Sequence, residues 1–125
     1  MTRGKKPVAA IRDAKKFAQK MGYFVQENTE NPGQGWNFCA YKEAGALVVK
    51  VRVVRNTIGP DICFNEMLED ECRELAGLPF PPWLVREIWL RTQHERTFRR
   101  LRLHGIYPFE IEFWTPDDYV NPHAK

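Results

Sequence analysis

The chain has 125 residues, 43% of them hydrophobic and 28% charged, which is enough to bury a core in one compact domain and argues against wholesale disorder. Its longest apolar run, ALVVKVRVV, is interrupted by charge, and its N-terminus lacks a continuous apolar segment; a cytoplasmic protein without a membrane partner is therefore expected. A net charge of +3 suits nucleic acid without selecting it.

Residues 8–21, VAAIRDAKKFAQKM, put Ala10, Ala14, Phe17, Ala18 and Met21 on one helical face and Arg12, Lys16 and Lys20 on another. Pro7 suits the first turn of this helix and Gly22 its stop. YFVQE, residues 23–27, reads as a short strand, and NTENPGQG follows as a loop of turn formers. In WNFCAY, residues 36–41, Trp36, Phe38 and Ala40 alternate with Asn37, Cys39 and Tyr41. KEAG is a hairpin-sized turn in which Gly45 is free to take positive φ. ALVVKVRVVR is then β-rich, with Val49, Val51 and Val53 on one face and Val48, Lys50, Arg52 and Val54 on the other.

Residues 65–75, NEMLEDECREL, fit an acidic helix with Asn65 as N-cap and Met67, Leu68, Glu71, Cys72 and Leu75 along one stripe. GLPFPP is a rigid connector. Periodicity alone leaves 84–92 open between helix and strand. The alternating run RTFRRLRLHG that follows, with Leu101 and Leu103 sharing a face with Thr97 and Arg99, favours a strand for REIWLRT. IYPFEIEFW adds an edge strand, and residues 115–125 form a loose tail. Nothing divides residues 1–125 into more than one domain.

Cys39, Cys63 and Cys72 lack CxxC spacing and read as free thiols, buried or half-buried; a zinc site using Cys63, Cys72 and a histidine has no pattern behind it. His94, His104 and His123 form no HxxxH pair and are expected on the surface or in hairpins. Trp83 and Trp89 are expected in the core. Charge is polarised along the chain. Lys5, Lys6, Arg12, Lys15, Lys16 and Lys20 crowd the first segment, and Arg86, Arg91, Arg96, Arg99, Arg100 and Arg102 a later one. Glu66, Glu69, Asp70, Glu71 and Glu74 gather between them.

This order of elements resembles the restriction-endonuclease-like fold of the PD-(D/E)XK nuclease superfamily, and within it the small archaeal nucleases of the Holliday junction resolvase kind. KKFAQKMGYFVQEN resembles that family's first helix and strand, GQGWNFCAYKEAGALVVKVRVVR its core hairpin, and EIWLRTQHERTFRRLRL its later hairpin. The likeness covers roughly residues 8–113 of the domain. It implies an α/β protein with a central mixed β-sheet flanked by helices, in the order α-β-β-β-α-β-β.

In that family an aspartate of the short strand and a Glu or Gln of the next strand hold Mg²⁺, while a lysine two residues later orients the reacting phosphate. The resemblance puts these roles on Asn37, Lys50 and Arg52, the first two thirteen positions apart. All three depart from the pattern, and the acid often present in the first helix has no clear match beyond Asp13. Mg²⁺ requires anionic oxygen, whereas Asn37 offers a neutral carbonyl and Lys50 accepts nothing. Formal charge at the three positions moves from about −1 in the family pattern to about +2, which repels a metal and attracts a phosphate.

The expectation is a nuclease-fold protein that binds nucleic acid, DNA foremost, and has lost metal-dependent cleavage, with no cofactor. Lys50 and Arg52 would hold a phosphate, Asn37 would donate a hydrogen bond, and Lys16, Lys20, Arg99, Arg100 and Arg102 would widen the footprint. The enzyme alternative is a Mg²⁺-dependent endonuclease or junction resolvase with a rearranged site using Asp13, Glu27 or Glu43. The interaction alternative is a homodimer or scaffold whose acidic helix contacts another protein. In a purely structural alternative, Lys50 and Arg52 snorkel from the strand or pair with Glu27 or Glu110, and the arginine run is a solvated sheet face.

Overall fold

The computed structural model of the protein describes residues 7–28, 35–43, 45–55, 63–93 and 96–114, with side chains up to residue 111. The expected tail at 115–125, His94 and His123 lie outside the described residues.

Helix α1 (Val8–Lys20) buries Ala10, Ile11, Ala14, Phe17 and Ala18. Three alanines on the inner face let its backbone come close to the sheet, and Phe17 fills the remaining depth by meeting Phe98 edge-on at 5.2 Å. The helix ends in a Schellman motif: the N–H of Tyr23 donates to the Ala18 carbonyl and that of Gly22 to Gln19. Gly22 takes φ of 94°, a left-handed conformation that a side chain would resist, and so turns the chain directly into the first strand.

Six strands lie side by side in chain order: β1 (Phe24–Glu27), β2 (Phe38–Lys42), β3 (Gly45–Val54), β4 (Val85–Thr92), β5 (Phe98–His104) and β6 (Tyr107–Trp114). Neighbours are antiparallel except β3 and β4, which run parallel with Val51 opposite Trp89. A parallel pair needs a crossover, and here it carries α2 (Phe64–Met67) and α3 (Glu69–Ala76). The result is the expected α/β architecture, a mixed sheet flanked by helices. Phe38, Val49, Val51 and Trp89 pack under α1, whereas Val48, Ile88, Leu90 and Leu101 pack with Leu68, Cys72 and Leu75 of the α2–α3 side. The alternation expected for β3 holds at every valine from 48 to 54.

Several local expectations are corrected. The acidic helix is two pieces, broken at Leu68 with φ of −116° and ψ of 24°, because that residue turns inward to complete burial. Cys63 rather than Asn65 is the N-cap position, and it gives no side-chain cap. Trp36 does not share a face with Phe38. It precedes the strand, follows Gly35 at φ of 83°, and packs edge-on against Phe80 on the α3 side. Gly45 is paired with Lys42 as the first residue of β3 and is not among the positive-φ glycines. Trp83 is 74% exposed and Cys63 is exposed, because the connector and the start of α2 ride on the surface.

Candidate functional site

Asn37 sits at the mouth of the β2–β3 hairpin and is tied to its surroundings by backbone and side chain alike. Its N–H donates to Val49 at 2.8 Å, and its carbonyl accepts from Asn28 at 3.0 Å. Its Oδ1 accepts from the Val51 N–H at 2.6 Å in a buried setting. That oxygen therefore lies on the Lys50–Val51 peptide, one residue before Arg52. The three positions singled out by the resemblance do come together, and they do so because the Asn37 amide continues the strand pairing where β2 itself has not yet begun.

Their chemistry is already partly satisfied from within the fold. Arg52 leaves β3 toward the α3 side and its Nη1 forms an ion pair with Glu71 Oε2, a largely buried carboxylate. The Glu74 carboxyl, one turn further along α3, lies so close to the loop before Asn37 that a Cβ on Gly35 would sit 2.5 Å from its carboxyl carbon. Lys50 is half-buried and is not free either. Adding Glu71 to the trio brings its formal charge from about +2 to about +1. Sequence reasoning missed Glu71 as a member of this site and Glu74 as a neighbour of the loop before it. The acidic run was visible, but not that the β3–β4 crossover folds it back over Arg52.

α3 is held in that place by burial of Leu68, Cys72 and Leu75. It is also held by Arg86, whose guanidinium donates to the carbonyls of Leu75, Leu78, Phe80, Pro81 and Leu84 at 2.9 to 3.4 Å. One planar cation thus gathers the proline-rich connector and the open end of α3. Burial pushes the thiol of Cys72 up to about 11, so it stays protonated and acts as an apolar core group.

The arginine run of β5 does not present one face. Arg99 forms a two-pronged contact with Glu110 at 2.9 and 2.7 Å, and its guanidinium lies 5.0 Å from the Phe64 ring centre on the α2 side. Arg100 and Arg102 point to the α1 side and converge on Glu87 of β4, which is completely buried. Arg100 reaches it through Nε and Nη2, both at 3.0 Å, and Arg102 through Nε at 3.1 Å and Nη2 at 2.7 Å. Trp89 Nε1 adds a fifth donor group at 2.8 Å. Two cations and an indole around one carboxylate make a core network, and Arg100, only 5% exposed, is committed to it. The cue for Glu87 was present in the sequence: an acid in an apolar strand, followed by two arginines at matching alternation in the next strand.

None of the carboxylates considered for a rearranged metal site is hydrogen-bonded to Asn37, although Glu27, opposite Phe38, adjoins it in the sheet. Asp13 accepts from Arg91 Nη1 at 2.9 Å, and Glu27 pairs with Lys15 at 2.6 Å, so both belong to the α1 side. Glu43 is in the turn at the opposite end of β2. Arg52 and Glu110 have different partners from those the structural alternative gave them. Among the described residues no three His, Cys, Asp or Glu side chains are grouped to hold a metal ion. An amide already bonded to the backbone, two cations and one paired carboxylate do not fit Mg²⁺.

Lys16 and Lys20 stand apart from this internal pairing. With Arg12 they are exposed on the outer side of α1, and none of the three forms an ion pair among the described residues. No helix of the described residues is long and apolar enough to cross a membrane. Neither a protein-family model nor a curated protein matches the chain.

Proposed function

We propose that this protein binds nucleic acid, DNA foremost, on a nuclease-like fold from which metal-dependent phosphodiester cleavage has been lost. The observation that carries the reading is the bond from the Val51 N–H to Asn37 Oδ1. It sets Asn37 against the β3 residue that Lys50 and Arg52 flank, which supports the reading by the PD-(D/E)XK resemblance, while the three side chains offer an amide and two cations in place of carboxylates. Such a set favours an anion over a divalent metal. The remaining exposed cations supply sequence-independent contact with a phosphate backbone.

The test combines cleavage and retention. Linear and branched DNA are incubated with the protein and Mg²⁺ or Mn²⁺, and retention is followed across a salt series. Retention that weakens linearly in log salt, with no metal-dependent cutting, is the expected result. Metal-dependent cutting abolished by Asn37→Ala would establish the enzyme alternative. Absence of both activities, with a defined oligomer in solution, would favour the homodimer or scaffold.

A further inference from the structure

We infer that nucleic acid docks on the outer face of α1, where Arg12, Lys16 and Lys20 each meet a backbone phosphate, on the side of the sheet away from Asn37, Lys50 and Arg52. This rests on the nucleic-acid reading above and says where such contact is made. The cations divide sharply. Arg52 is paired with Glu71, Arg91 with Asp13, Arg99 with Glu110, and both Arg100 and Arg102 with Glu87. A phosphate approaching any of these must displace a carboxylate already in place. Arg12, Lys16 and Lys20 have no such competitor among the described residues.

The composition of the face is equally one-sided. Its exposed residues are Val8, Ala9, Arg12, Lys16, Gln19 and Lys20, which include three cations and no carboxylate. The one acid of the helix, Asp13, is turned toward Arg91. Four residues advance an α-helix by about 6 Å, so the three charges span about 12 Å. A duplex strand offers one phosphate per about 3.4 Å of its axis, so three phosphates of one strand lie within reach of flexible side chains over that length. The base is firm, since Ala10, Ala14 and Ala18 are seated on the sheet at 2%, 0% and 0% exposure.

Charge complementarity also separates a nucleic acid from an anionic membrane. A basic helix that lies in a lipid interface must turn its apolar face into the acyl chains. The apolar face of α1 is spent on the core, with Ile11 and Phe17 each 6% exposed, and the outer face offers only Val8 and Ala9. Phosphates held by ammonium and guanidinium groups without base-edge contacts give affinity that is indifferent to sequence.

The experiment compares the intact chain with Arg12→Ala/Lys16→Ala/Lys20→Ala and with a charge-matched control, Arg55→Ala/Arg73→Ala/Arg96→Ala, each of the three on duplex DNA and on anionic vesicles. Alanine is the best helix former, so the α1 variant keeps its fold, which circular dichroism verifies. The expected result is a loss of about tenfold or more in DNA affinity at low salt for the α1 variant. Its log–log salt slope should be shallower by about 0.9 per residue removed, and the control should stay within a few-fold of the intact chain. Retention of the intact chain with no effect of the α1 changes, or an equal loss in the control, overturns this docking face while leaving the nucleic-acid reading standing. No retention of the intact chain overturns that reading and this inference together. Vesicle binding lost in the α1 variant, without DNA binding, assigns the face to a membrane and overturns it as well.

Discussion

Asn37 Oδ1 accepts a 2.6 Å hydrogen bond from the Val51 N–H in the interior of the protein. The amide thereby does the work of a missing strand residue, and it holds the loop after Gly35 against β3. Replacing it by a side chain of similar size without an acceptor, Asn37→Leu, leaves that N–H buried and unpaired. The expected cost is about 1–3 kcal/mol. Asn37→Asp keeps an oxygen in place near two cations and should cost less. Urea unfolding of the two variants checks the order; equal stability of Asn37→Leu and the parent would show that the bond contributes nothing.

Glu87 gives the second prediction. With this carboxylate fully buried, its removal strands Arg100, itself 5% exposed, without a counter-charge. Glu87→Gln and Arg100→Met should each lower stability by about 3–5 kcal/mol, the usual penalty for breaking a buried pair. Arg102, whose side chain is 38% exposed, can turn to water, so Arg102→Ala should cost clearly less. The double change Glu87→Leu/Arg100→Met should recover much of the loss, since apolar packing often replaces a buried pair without penalty. Consequently a variant that removes Arg99, Arg100 and Arg102 together reports mainly on folding and is a poor probe of binding.

What the sequence made legible follows from the range of the signal. The stripe of α1 and the alternation of β3 are local periodicities, and each puts its residues on the observed face. The meeting of Asn37 with β3 followed from hairpin spacing. The pairing of Arg52 with Glu71 did not, because residues so separated meet only through the crossover and its packing on Leu68, Cys72 and Leu75. Trp36 broke its expected alternation because Gly35 at positive φ and the Asn37 bonds reset the chain before β2 starts. Arg86 gave no signal at all, since the geometry that lets one guanidinium meet five carbonyls belongs to the folded connector.

The thiols supply a prediction in pH. Cys63 is exposed, whereas Cys39 and Cys72 are buried. Thiol-directed alkylation of the native protein at pH 8 should therefore modify Cys63 first, with the other two reacting only after unfolding. Burial pushes Cys72 from its ordinary value of 9.0 to about 11. Because the folded value is the higher one, the unfolded chain loses this proton first as pH rises. The contribution of Cys72 is thus fully present below pH 9 and is lost as pH climbs through about 11. Urea midpoints should fall across that window, and fall less in Cys72→Ala measured against its own value at pH 8. An equal fall in the two proteins would assign the effect to other groups.

The charge around Asn37, Lys50 and Arg52 can be reversed by design. In the native chain, Asn37, Lys50, Arg52 and Glu71 sum to a formal charge of about +1. Asn37→Asp, Lys50→Glu and Arg52→Lys made together shift that sum to about −2, placing two new carboxylates beside the one that α3 already supplies. Hard cations are selected by anionic oxygen, so the triple variant should bind Mn²⁺ or Mg²⁺ in titration calorimetry, where the native protein should show no heat of site-specific binding. Glu71→Gln added to the triple variant should weaken that new affinity, because the third oxygen ligand is lost. If Glu71 only neutralises Arg52, the fourth change leaves metal affinity as it was. Tight Mg²⁺ binding by the native chain, lost on Asn37→Ala together with cutting of DNA, would overturn the reading of this site as one whose metal chemistry is gone.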